Sequence, residues 1–133
     1  MSVIVRNEYG AVGVNKSVIE KMIIEDMLSK SDSIILCNKK GKPIKDRPTP
    51  WIDPDHYDAV EVTDKRGEVN VKVYIIAKHG SNISKLSDDI FKSIEKSFEL
   101  LRLGKPESIS VKVRGIMSDV LVKRSIEVVR RNA

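Results

Sequence analysis

The sequence predicts an α+β fold of two layers. A mixed or mostly antiparallel sheet carries two main helices on one face, and a C-terminal helix closes the chain. Three observations predict it. Val69, Val71, Val73 and Ile75 alternate with Asn70, Lys72 and Tyr74, the period of a strand. After His79-Gly80, apolar residues recur at helical spacing at Ile83, Leu86, Ile90, Ile94, Phe98 and Leu101. After Gly104, alternation resumes at Ile109, Val111 and Val113. Residues 68–116 therefore read as one strand, helix, strand unit.

The other elements follow in order. Val3 to Val5 is a short strand, and Tyr9 to Val14 is a strand with Gly10 and Gly13 inside it. Asn15 is a good N-cap, because its side-chain oxygen accepts from an orphan N–H of the first helical turn. The helix it opens should bury Val18, Ile19, Met22, Ile23 and Met27, turn Glu20, Lys21, Glu25 and Asp26 to water, and end near Ser29 to Ser31. Ser33 to Cys37 contains a continuous apolar run and reads as a short buried strand. Asn38 to His56 holds Pro43, Pro48, Pro50 and Pro54, which rules out a regular helix or central strand and predicts a loop insertion. Tyr57 to Thr63 returns to strand pattern, and Asp64-Lys65-Arg66-Gly67 turns it into the long strand, so that Val60 and Val62 pair against Val69 to Val73. Ser118 to Arg131 reads as the last helix, with Asp119 in its first turn and Arg130 and Arg131 in its last; strand character at Val120 to Val122 is the competing reading.

A chain of 133 residues fits a single domain, residues 1–133, with the proline-rich insertion at 38–56. Charged residues at 32% and hydrophobic ones at 41% fit a globular protein rather than a disordered one. A net charge of +5 is short of a dedicated polyanion binder. One cysteine, Cys37, excludes an intrachain disulfide framework and fits a reducing compartment. No apolar run approaches the roughly 20 residues that cross a bilayer. The N-terminus lacks the long apolar core of a signal peptide, so a cytoplasmic location is expected, membrane-proximal only through a partner.

Each candidate site has a plain structural explanation beside it. Asp53, Asp55, His56 and Asp58 carry metal-binding groups, but their spacing matches no metal loop and a solvated polar loop explains them. His79-Gly80-Ser81-Asn82 joins a strand to a helix; capping by Ser81 or Asn82 explains it better than anion binding, since no second glycine stands at phosphate-loop spacing. His79 has no nucleophile or acid beside it by any motif. Cys37 ends an apolar run and reads as a buried structural thiol. No catalytic, metal or cofactor constellation is recognisable, and a non-enzymatic protein is expected. The candidate partner surface is Lys39, Lys40, Lys42 and Arg47, extended by Lys45, together with Trp51, which either pins the loop to the core or anchors a partner. Lys123, Arg124, Arg130 and Arg131 form a second basic cluster.

The pattern resembles the alkaline shock protein family, the envelope stress response proteins of mainly Gram-positive bacteria. The resemblance is carried by Gly10-Ala11-Val12-Gly13-Val14-Asn15-Lys16-Ser17-Val18-Ile19, the alternating strand from Val69 to Gly80, Asn82-Ile83 at a helix start, Gly104, and Ser110 to Arg114 closing on Gly115-Ile116. It covers residues 9–116 apart from the proline-rich loop. The first helix lacks the family's alanine-rich interior, and Ser31-Asp32-Ser33 replaces its usual glycine, so the chain looks like a divergent member. The resemblance implies a non-catalytic interaction or scaffold protein in bacterial cell-envelope stress or lipid homeostasis. It also implies protein partners: a second copy, membrane-proximal proteins or fatty-acid-synthesis proteins. The alternative is a small RNA-binding module of K-homology-like type. Such a module clamps its ligand with Gly-x-x-Gly, whereas Gly41 and Gly80 each stand alone.

Overall fold

The computed structural model describes residues 2–7, 10–30, 32–44, 54–65 and 68–131. In chain order these form β1 (Ser2–Asn7), β2 (Gly10–Asn15), α1 (Lys16–Leu28), β3 (Ile34–Leu36), a 3-10 helix (Pro54–Ala59), β4 (Val60–Lys65), β5 (Glu68–Lys78), α2 (Ile83–Leu100), β6 (Ser108–Met117) and β7 (Leu121–Arg131). β1 and β2 pair with each other as an antiparallel ribbon, and the other five strands form one mixed sheet.

β5 organises that sheet. One of its edges pairs in parallel with β6, the two strands being joined through α2. Its other edge takes β3 and β4 in tandem. Ile34 and Leu36 face Ala77 and Ile75, and Val60 and Val62 face Val73 and Val71. Between them the Cys37 N–H donates to the Tyr74 carbonyl at 3.2 Å. β3 and β4 are thus two halves of one edge line. The chain leaves it after Cys37 and rejoins it at Val60. The β4–β5 register follows directly from the alternation of valines in the two segments.

Both helices lie on the face defined by Val69, Val71, Val73, Ile75 and Ala77, as expected. Ile19, Ile23, Ile24 and Met27 of α1 join Leu86, Ile90, Phe91, Ile94 and Phe98 of α2 there in one core. The buried stripe of α1 is rotated from the expected one. Val18 is exposed and Met22 only half-buried, while Ile24 is fully buried. Asp26, expected in water, is half-buried and accepts from Ser97 Oγ of α2 at 3.0 Å. The contact with α2 sets which face of α1 turns inward. Both helix starts are capped by asparagine: Asn15 Oδ1 accepts from the Ser17 N–H at 2.9 Å, and Asn82 Oδ1 from the Lys85 N–H at 3.1 Å.

Two expectations need correction. Residues 118–131 do not form a helix. Ser118 to Val120 make a turn, and β7 runs back antiparallel along β6 from Met117↔Leu121 to Ser108↔Arg131. A helix there would leave that edge of β6 unpaired, and Ile126 and Val128, two apart, instead pack against the helix-side core. Tyr57 to Ala59 likewise belong to the 3-10 helix and not to the strand. Near three residues per turn, that helix places His56 and Ala59 inward together and Asp55 and Asp58 outward together. His56 is therefore a core residue at 1% exposure, not part of a solvated loop.

Among the described residues Phe98 is the largest fully buried side chain, and it sits in the core shared by both helices and the sheet. Phe98→Ala is expected to cost about 3–5 kcal/mol, read as a lower urea midpoint in circular dichroism.

Candidate functional site

The site lies at the edge of the sheet where β3 gives way to β4, beside the start of α1. Two residues after β3 the chain makes a tight turn through Asn38 to Lys42. The Asn38 side chain organises it, its Oδ1 accepting from the backbone N–H groups of Lys40 at 2.9 Å and Lys42 at 3.0 Å. The ends close on each other, with the Asn38 N–H donating to the Lys42 carbonyl at 3.0 Å and the Ile44 N–H to the Leu36 carbonyl at 2.9 Å.

Neighbouring strands fix this turn at two points. Lys39 Nζ lies 3.4 Å from Glu61 Oε2 on β4. The same carboxylate oxygen accepts from Tyr74 Oη on β5 at 3.4 Å. The Arg114 guanidinium of β6 lies over the Tyr74 ring, 5.6 Å from its centre. The loop closes at Gly41, where an added Cβ would lie 3.2 Å from Arg114 Cβ. Gly41 has φ +86°, a conformation that side chains disfavour. Burial raises the Tyr74 hydroxyl pKa, and the Glu61 carboxylate raises it further, so the phenol stays a donor. Beneath the turn, Cys37, Tyr74 and Ile76 form a small second core.

The turn also forms one wall of an open cleft of about 610 Å³. Lys39 and Lys40 face Lys16 and Glu20 from α1, Tyr57 and Asp58 from the 3-10 helix, and Glu61. Three lysines thus meet three carboxylates. Burial raises the Glu20 carboxyl pKa, and Lys16, one turn earlier, opposes that shift.

Of the residues expected from sequence, Lys39, Lys40 and Lys42 are all exposed on this turn, and the first two line the cleft. Lys45, Arg47, Trp51 and Asp53 lie outside the described residues. Among the described residues no group of three His, Cys, Asp or Glu side chains is placed to hold a metal. His79 is exposed, and its backbone N–H donates to the Met117 carbonyl at 2.7 Å. Sequence reasoning missed Glu61, Tyr74 and Arg114. Alternation alone puts Glu61 and Tyr74 on the face opposite the valines. Arg114 lies where the β5–β6 register shifts between Ile75 and Ile76, so simple counting does not pair it with Tyr74.

A family model for the alkaline shock proteins, described as having a cell envelope-related function, matches residues 5–118. The chain belongs to this family. The match includes the proline-rich segment and ends in the turn before β7. The matched span holds the strand–helix–strand unit and every residue that lines the cleft, and β7 lies beyond it. No curated protein and no solved structure matches the chain. No helix among the described residues is long and apolar enough to cross a membrane.

Cys37 is fully buried, and burial pushes its thiol from 9.0 up to about 12, with Arg114 opposing the shift. Above pH 9 the folded chain holds this proton and the unfolded chain does not, so its contribution to stability falls as pH rises from 9.0 toward 12. Alkylation of Cys37 at pH 8 is expected to be about a hundredfold slower in buffer than in urea. Gly41→Ala is expected to cost about 1–2 kcal/mol through its left-handed backbone. Urea unfolding reads that cost, and the Tyr74 ring resonances report release of the turn.

Proposed function

We propose that this chain is a non-catalytic interaction protein in envelope or lipid homeostasis, and that a partner protein docks on the 38–42 turn and its cleft. Family membership supplies the envelope-related role. The observation that carries the docking reading is the balance of charge in the cleft, where Lys16, Lys39 and Lys40 face Glu20, Asp58 and Glu61. A nucleic-acid groove needs a positive track, and carboxylates among the lysines oppose a phosphate backbone. A protein surface brings both signs and can match both. The turn is held by side chains from three strands, so little ordering is required when a partner binds. The open cleft suits a docking surface better than a pocket that must exclude water from a reaction.

The test is affinity capture from envelope extracts of the source bacterium, comparing the native chain with a Lys39→Glu, Lys40→Glu, Lys42→Glu variant. The native chain should retain a defined protein partner, and the variant should bind it at least roughly tenfold more weakly, about 1.4 kcal/mol, with unchanged circular dichroism. Equal capture by both chains, or no specific partner, overturns the reading. Salt-sensitive binding of single-stranded RNA by the same lysines favours the nucleic-acid alternative.

A further inference from the structure

The cleft leaves one long feature of the sheet unused. β7 is the terminal strand of the five-stranded sheet and runs 11 residues with β6 as its only strand partner among the described residues. On its outer side, alternate residues direct backbone N–H and C=O groups away from β6 with no strand to receive them. The register with β6 shifts only between Ile126 and Lys123. Ile126 to Arg131 pair without interruption against Val113 to Ser108, leaving a regular six-residue edge.

The side chains of β7 narrow what can add to that edge. Glu127 lies 3.6 Å from Lys112, and Arg130 lies 3.5 Å from both Asp88 and Glu95 of α2. Lys123, Arg124 and Arg131 are exposed, and none has a carboxylate partner among the described residues. Val122 and Val129 are 40% and 38% exposed. With four cations and one acid on the strand, the edge repels its own copy, since two such strands would lie about 4.8 Å apart. A strand of opposite sign fits. Ile126 and Val128 are half-buried against the helix-side core, so apolar side chains of an added strand would continue that core. Carboxylates on its other face would reach Lys123 and Arg131.

We propose that the outer edge of β7 is a strand-addition site for an extended acidic segment of a partner protein, one that alternates carboxylates with β-branched residues. The site lies wholly beyond the span matched to the family and is separate from the cleft.

The probe is an acetylated, amidated peptide of alternating valine and glutamate, about ten residues long, enough to cover the strand. A matched peptide of valine and lysine is the control. With the isotope-labelled native chain, the acidic peptide should slow amide exchange at alternate positions within 126–131 and leave 39–42 unchanged. The lysine peptide should not bind. A Lys123→Glu, Arg124→Glu, Arg131→Glu variant should bind the acidic peptide at least roughly tenfold more weakly. Because the two peptides are compared on the unmodified chain, the test stays decisive if the variant misfolds. Equal binding of both peptides, no binding of either, or protection outside β7 overturns the proposal. So does a dimer of the native chain joined through β7, which would make a second copy the occupant. Binding of single-stranded RNA or anionic vesicles at Lys123 and Arg131 without binding of the acidic peptide also overturns it. None of these outcomes depends on the cleft lysines.

Discussion

β5 is the constraint on which the rest of the main sheet depends. Like β6 it is paired along both edges, and it alone of the five strands pairs with three others, β3 and β4 on one edge and β6 on the other. Its helix-side residues are buried from Val69 to Ala77, and at Tyr74 and Ile76 its opposite face is buried too. A strand buried on both faces needs cover on both, and each cover comes from a different part of the chain. The two helices supply one. The turn after β3 and the β6–β7 turn, through Met117 and Leu121, supply the other. The turn that shields Tyr74 also forms one wall of the candidate cleft, whose other walls are α1, the 3-10 helix and β4.

Much of the architecture was legible because local patterns and tertiary partners agree. The valines of β4 and β5 alternate in phase, and the segment between them is short, so pairing and register both follow. The helix–strand passage through α2 and β6 has one strong reading at each position. The misses come where two patterns coexist. In β7, Val122, Ile126 and Val129 fit a helical stripe while Ile126 and Val128 fit a strand, and only the need of β6 for an edge partner decides between them. In α1 the choice among Val18, Met22 and Ile24 rests on where α2 lies, which no local spacing encodes.

The site was legible in part. The lysines of the 38–42 turn stand out as a run, and the prolines after them mark an insertion. The groups that hold the turn come from three separate strands, and one of them, Arg114, is placed by an irregularity in strand register. Such a ring of Lys39, Glu61, Tyr74 and Arg114 has no sequence spacing to search for. Its individual members are weak: an exposed ion pair contributes about 1 kcal/mol or less. Their combined effect is positional, since together they fix the turn and the Lys39 side chain without adding much to stability.

The split edge of the sheet has an evolutionary corollary. The chain departs opposite Tyr74 and returns opposite Val73, neighbouring residues of β5, so the two ends of the excursion are already together before anything is placed between them. Lengthening such an excursion adds only about 0.6 kcal/mol of closure entropy per doubling. This makes the interval a graft point, where a lineage can exchange recognition chemistry while the scaffold beneath stays unchanged. The window closes before the 3-10 helix, because His56 and Ala59 belong to the core and not to the graft.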